Sequence, residues 1–196
     1  MKRTGLIALL PAYALFILVA RADAQTPGPI APKLTDAHKL REQGKVDEAI
    51  AAYKRVAGAA GTHPHDRGGA RLWLGHLLRE KGSKHEAAQA YRGVADMQDA
   101  HPHDRGGAQM WVAHLLREDR KHNEARQAYS KVLQIEKAHP HDRGGAQTWI
   151  GVLHFENKAY AEAKQALSAV ANAESAHPAD RKRAQEYLKK ISDAGK

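Results

Sequence analysis

The chain has 196 residues, with 31 Lys+Arg against 22 Asp+Glu, 13 His and no Cys. A chain without cysteine has no disulfide framework, no thiolate zinc site and no Fe–S cluster, and 42% hydrophobic with 27% charged residues is the balance of a folded soluble chain. Only 2 Phe, 3 Trp and 6 Tyr stand beside abundant Ala, which favours closely packed helices and an all-α fold over a β-sandwich.

Residues 1–24 read as a secretory signal. Lys2 and Arg3 precede the apolar run Leu6 to Ala20, and Ala22-Asp23-Ala24 is a small-x-small cleavage site, so cleavage is expected after Ala24. The run is about 15 residues with Pro11 inside it, short of the about 20 that a membrane span requires. Localisation is therefore expected to be periplasmic or secreted, with no membrane association after cleavage. Removal of the segment lowers the formal charge from +9 to +7, which favours acidic partners. Residues 25–33 carry three prolines in nine positions and form a spacer.

The body of the chain is an internal repeat. His63-Pro64-His65-Asp66-Arg67-Gly68-Gly69-Ala70 recurs unchanged at His101 to Ala108 and His139 to Ala146, and returns altered as His177-Pro178-Ala179-Asp180-Arg181-Lys182-Arg183-Ala184. The spacing is 38 residues, and a fixed period in this range means a stacked array. Leu34 to Thr62 makes a first unit, its short first helix capped by Thr35. Units 63–100, 101–138 and 139–176 follow, and a polar helix over 178–192 closes the stack. Within unit two, Ala70, Leu74, Leu77 and Leu78 fall on one helical face, and Ala87, Ala90, Tyr91 and Val94 on another, so each unit holds two amphipathic helices. Proline suits the first turn of each first helix, and Asp66 and its copies sit where a carboxylate favours a helix N-terminus. Gly44 and Gly82 stand where first helices must stop.

Leu74, Gly75, Leu78, Gly82, Ala87, Tyr91, Val94 and Pro102 occur in the order and nearly the spacing of the tetratricopeptide repeat, which this chain resembles from about residue 34 to 194. It departs from that family in its 38-residue unit, in a tryptophan two places late and in Val94 where the family prefers alanine. Its longer unit resembles the longer-linker variety found in periplasmic envelope proteins. The resemblance implies a right-handed solenoid of antiparallel helix hairpins whose concave face, lined mostly by first helices, binds peptides or proteins.

The stripe Gly69, Trp73, His76, Glu80 repeats as Gly107, Trp111, His114, Glu118 and partly as Gly145, Trp149, Val152, Glu156. Trp73, Trp111 and Trp149, with His76, His114, Arg79 and Arg117, form the candidate partner-binding set, since aromatic and arginine anchors dominate many interfaces. The alternative is that each Trp packs into the seam between adjacent first helices. Between units two and three, residues 63–82 agree with 101–120 at 14 of 20 positions, but 83–100 agree with 121–138 at only 7 of 18. One side of the array is therefore under the tighter constraint, whether from packing or from ligand contact.

His63, His65, His101, His103, His139 and His141 are a candidate row of Zn, Cu or Ni ligands, and a histidine-rich metal buffer is the alternative function. Against it, a helix diameter separates neighbouring connectors and proline stiffens each one. No strained glycine-flanked serine, phosphate loop or dinucleotide fingerprint is present, so neither catalysis nor a cofactor is expected. Lys and Arg are spread among Glu in every unit, which argues against nucleic-acid binding. The expected function is a non-catalytic interaction scaffold of the cell envelope. Its partner is another envelope protein or peptide, and the protein itself is a monomer or weak homodimer.

Overall fold

The computed structural model describes residues 33–194. The expected signal segment 1–24 and all of the spacer but Lys33 lie outside the described residues. Among the described residues the chain forms helices and no strand: α1 (Leu34–Glu42), α2 (Val46–Gly58), α3 (Pro64–Glu80), α4 (Lys84–Ala95), α5 (Pro102–Glu118), α6 (His122–Gln134), α7 (Pro140–Glu156), α8 (Tyr160–Ala171) and α9 (Pro178–Ala194). None of them is long and apolar enough to cross a membrane.

Proline opens α3, α5, α7 and α9, where a missing backbone donor costs nothing. The cap in front of it is histidine. Nδ1 of His63, His101, His139 and His177 accepts from the backbone N–H two residues on, at 3.1 to 3.3 Å. Those imidazoles perform the task expected of the neighbouring aspartates. A second departure is at α1, which begins at Leu34 behind Lys33 without a side-chain cap, so Thr35 lies inside the helix.

First helices stop at a left-handed residue. Gly82 takes φ +81, its N–H bonds the Arg79 carbonyl at 2.9 Å, and Ser83 N–H reaches back to Leu78 at 2.8 Å. In units three and four the same left-handed position is held by Arg120 and Lys158, with φ 57 and 60.

Each second helix buries a row at i, i+4 and i+7: Ala49, Tyr53 and Val56; Ala87, Tyr91 and Val94; Ala125, Tyr129 and Val132; Ala163, Leu167 and Val170. The facing rows are small and aliphatic, Ala70, Leu74, Leu77 and Leu78 in α3 and their counterparts elsewhere. Alanine at both ends of the seam brings the helices close, and tyrosine fills the middle. Every helix packs on its successor. In addition α1 touches α3, α3 touches α5, α5 touches α7, and α7 touches α9, whereas the even-numbered helices do not touch one another. The odd-numbered helices therefore line the inner face of a solenoid, and the even-numbered ones splay on the outer face. Arg105 and Arg143 tie successive units by donating to the carbonyls of Ala95 and Leu133 at the ends of α4 and α6.

Candidate functional site

The inner face carries a continuous aromatic ladder. A first helix supplies histidine and arginine three residues apart, so both side chains leave the same side. The following first helix supplies the tryptophan that lies against them. Trp73 stands between His38 (ring centroids 5.8 Å) and His76 (5.5 Å). Trp111 stands between His76 (5.3 Å) and His114 (5.5 Å), and Trp149 continues from His114 at 5.9 Å. These contacts are edge-to-face, the geometry that aromatic quadrupoles prefer. Over each indole lies a guanidinium from the preceding unit: Arg41 over Trp73 at 3.8 Å, Arg79 over Trp111 at 4.4 Å and Arg117 over Trp149 at 3.9 Å. Arg183 of α9 also lies against the last rung, 4.7 Å from the Trp149 ring.

The histidines are anchored from below. Nδ1 of His38, His76 and His114 shares a hydrogen bond with the hydroxyl of Tyr53, Tyr91 and Tyr129, at 2.6, 2.9 and 2.6 Å. Each tyrosine is fully buried in the hairpin seam, so its hydroxyl needs that partner. Burial, and then the positive charge of Arg117, holds His114 at about 4, far below the ordinary 6.5. Burial followed by Arg79 lowers His76, and burial followed by Arg41 lowers His38. Burial also pushes Tyr91 up to about 12 and raises Tyr53 and Tyr129. The His–Tyr pairs are therefore neutral near pH 7, and the charge of the ladder resides in its arginines. Arg41, Arg79 and Arg117 each keep one buried guanidinium nitrogen without a hydrogen-bond partner.

The seven residues of the predicted partner-binding set, Trp73, His76, Arg79, Trp111, His114, Arg117 and Trp149, thus occupy one strip. The two alternatives for tryptophan merge in it. Each indole packs in the seam between first helices and still shows part of its surface, with Trp73 37% exposed and the other two half-buried. His38 and Arg41 belong to the same strip and were missed, although both lie 38 residues before His76 and Arg79. The segments that agree best between units two and three are the connector and the inner helix, which include this strip.

The six connector histidines form a row along one edge. His101 and His103 lie 4.7 Å apart by ring centroids, His103 and His139 5.2 Å, and His139 and His141 6.4 Å. His65 Nδ1 is 3.7 Å from Asp104 Oδ2. Three of the six, His63, His101 and His139, have Nδ1 engaged as caps. Three ligand atoms converge at one place among the described residues, at His141, His177 and Asp180, of which only His141 belongs to the predicted row.

Comparison with known proteins agrees with the fold. The family model described as tetratricopeptide repeat matches residues 34–105, and no curated protein sequence matches the chain. The chain is similar to a putative kinesin light chain with nearly identical TPR-like repeats from Podosopora anserina, at 20% identity over 83% of this chain and 84% of that one, with a TM-score of 0.58. It is also similar to BtubC (BKLC) from P. vanneervenii, at 16% identity over 81% and 70% of the two chains with a TM-score of 0.61, and to MamA, at 18% over 82% and 88% with 0.53. At such identities these neighbours speak for the fold alone. Repeats of this family mediate protein–protein interaction and are generally non-catalytic. The tetratricopeptide repeat model thus covers residues 34–105, and among the described residues the later hairpins continue the same 38-residue register up to the closing helix, so the fold is that of a tetratricopeptide-type helical solenoid.

Proposed function

We propose that the protein is an exported interaction scaffold that holds an extended, acidic segment of another envelope protein along the inner face of its repeats. The observation that carries this reading is the ladder, in which Trp73, Trp111 and Trp149 stand in register with a guanidinium over every ring. Partly exposed indoles offer flat apolar area at little entropic cost, and the arginines beside them supply fixed positive charge for carboxylates. Glu42 and Glu118 are ion-paired, with Arg41 at 3.5 Å and Lys84 at 2.9 Å, which leaves the exposed Glu80, next to Arg79, to reject acidic segments that bind out of register.

The test is a double replacement, Trp73→Ala with Trp111→Ala, assayed by cross-linking and capture in the native cells. Loss of the captured partner with an unchanged helical circular dichroism spectrum is the expected result. A collapsed helix signal would make the indoles core residues, and undiminished capture would remove the ladder from the interface. Export is checked separately by N-terminal sequencing of the protein from its own cells. Gln25 is the expected first residue, and an intact Met1 would sink the envelope assignment.

A further inference from the structure

At the junction between α7 and α9, His141, His177 and Asp180 each offer one ligand atom, and these three atoms lie within 4.8 Å of one another. We infer that they form a binding site for one first-row divalent transition-metal ion of the Zn2+ type, which clips the closing helix to the last hairpin. The site does not depend on the protein-binding reading.

Three observations support it. First, Asp180 is 6% exposed, and its Oδ2 is buried without a hydrogen-bond partner. Arg183 Nη1 approaches only Oδ1, at 3.4 Å. A buried carboxylate oxygen left unpaired is costly, and a cation is the partner that removes the cost. Second, two imidazoles and one carboxylate are a donor set suited to Zn2+ and Ni2+, with a water completing the tetrahedron. Both histidines are exposed, which gives the ion a path in. Third, the connector into α9 departs from its copies at Ala179, Lys182 and Arg183, and the first of these matters here: α3, α5 and α7 carry a second histidine two positions after the cap, where α9 has Ala179. With no imidazole at 179 to pack on, His177 stacks on His141 across the junction, at 4.6 Å and 21° between rings.

Closure asks for small movements. Ligand atoms on a tetrahedral Zn2+ are about 3.3 Å apart, given bonds of about 2.0 Å, so the exposed rings must rotate out of their stack while the buried carboxylate stays. Because the ligands come from two helix starts, the ion binds the folded chain and not the unfolded one, and it raises stability by mass action.

The experiment is calorimetric titration of ZnCl2 into the full chain without a histidine tag, with Co2+ absorption in the visible reporting tetrahedral coordination. One saturable equivalent is expected, together with a rise in melting temperature on adding Zn2+. His177→Asn keeps a side chain able to cap the helix and removes the ligand. It should weaken binding by at least about 10-fold and abolish the thermal shift. Asp180→Asn should do the same, and His101→Asn should leave the event unchanged. Heat without saturation, wild-type affinity in His177→Asn, or an equal loss in His101→Asn would overturn the site, the last by making the whole row a diffuse buffer.

Discussion

Units one to three and unit four fill the same slots with opposite chemistry. Where the first three hairpins place His38 on Tyr53, His76 on Tyr91 and His114 on Tyr129, the fourth places Val152 and Leu167, both almost wholly buried. Where Arg41, Arg79 and Arg117 lie over the next unit's tryptophan, Phe155 packs edge-on against Tyr187 at 5.2 Å. Both members of each pair change together, so a polar rung is replaced by an apolar one and never by half of each. The backbone of α7 and α8 forms as in the other hairpins. The hairpin therefore does not need a His–Tyr pair or an Arg–Trp stack to fold, and the three polar rungs serve the inner surface. The fourth, next to the closing helix, is built as plain core.

That contrast breaks most visibly by truncation of the seam. Tyr91→Ala and Leu167→Ala each empty a buried slot, and urea denaturation should show about 3–5 kcal/mol lost for the first and about 2–5 for the second. A tyrosine loss well below the leucine loss would mean that the polar rung contributes little to the fold.

The next largest effect separates the two chemistries by pH. Above pH 6.5 the His114 imidazole is neutral in both folded and unfolded chains. Between 6.5 and about 4 the unfolded chain takes up a proton that the folded one refuses, so stability falls as the pH falls through that window. The upper limit from this one group is about 3 kcal/mol. His114→Gln keeps a partner for Tyr129 without titrating, and its stability should be flatter over that range by the same amount. An identical pH slope in the variant would refute the buried-neutral assignment.

Converting a rung tests whether the pairs change as units. His76→Val alone leaves the buried Tyr91 hydroxyl without a partner and should cost about 1–3 kcal/mol, whereas His76→Val with Tyr91→Leu should recover most of it. Unit two is the correct host, because Gly75 matches Gly151. A Cβ at residue 151 would come within 2.5 Å of Leu167, so the Leu rung tolerates glycine there and not the Ala113 of unit three. Failure of the double variant to exceed the single would deny the pairing.

The smallest effect sharpens the comparison at the hairpin turns. Arg120→Gly and Lys158→Gly should each stabilise the fold by about 0.5–1 kcal/mol, as a left-handed residue relieved of its Cβ strain. Thermal melts of the two variants measure it, and a fall in melting temperature would show that those side chains hold something.

Much of the fold was legible because periodicity is a one-dimensional signal. Thirty-eight-residue spacing, proline at helix starts, glycine at helix stops and apolar residues at helical intervals sufficed to mark the repeats and their buried faces. The strip Trp73, His76, Arg79 was legible for the same reason, as a stripe on one helix. What could not be read there was contact between units. Which side chain of one hairpin lies against which side chain of the next depends on a rotation and a translation that no local pattern encodes. For that reason the stacking of Arg41 on Trp73, the tyrosine beneath each histidine, and the meeting of His141 with His177 and Asp180 emerged only with the tertiary structure. Capping shows the same limit at short range. Asp66 was the group expected at the helix start, and the structure instead gives the amide of His65 to the His63 imidazole, whose extended backbone at the cap aims it there. The order of residues settled that helical hairpins repeat and stack, through the burial each helix requires, and packing geometry decided which groups face one another across the stack.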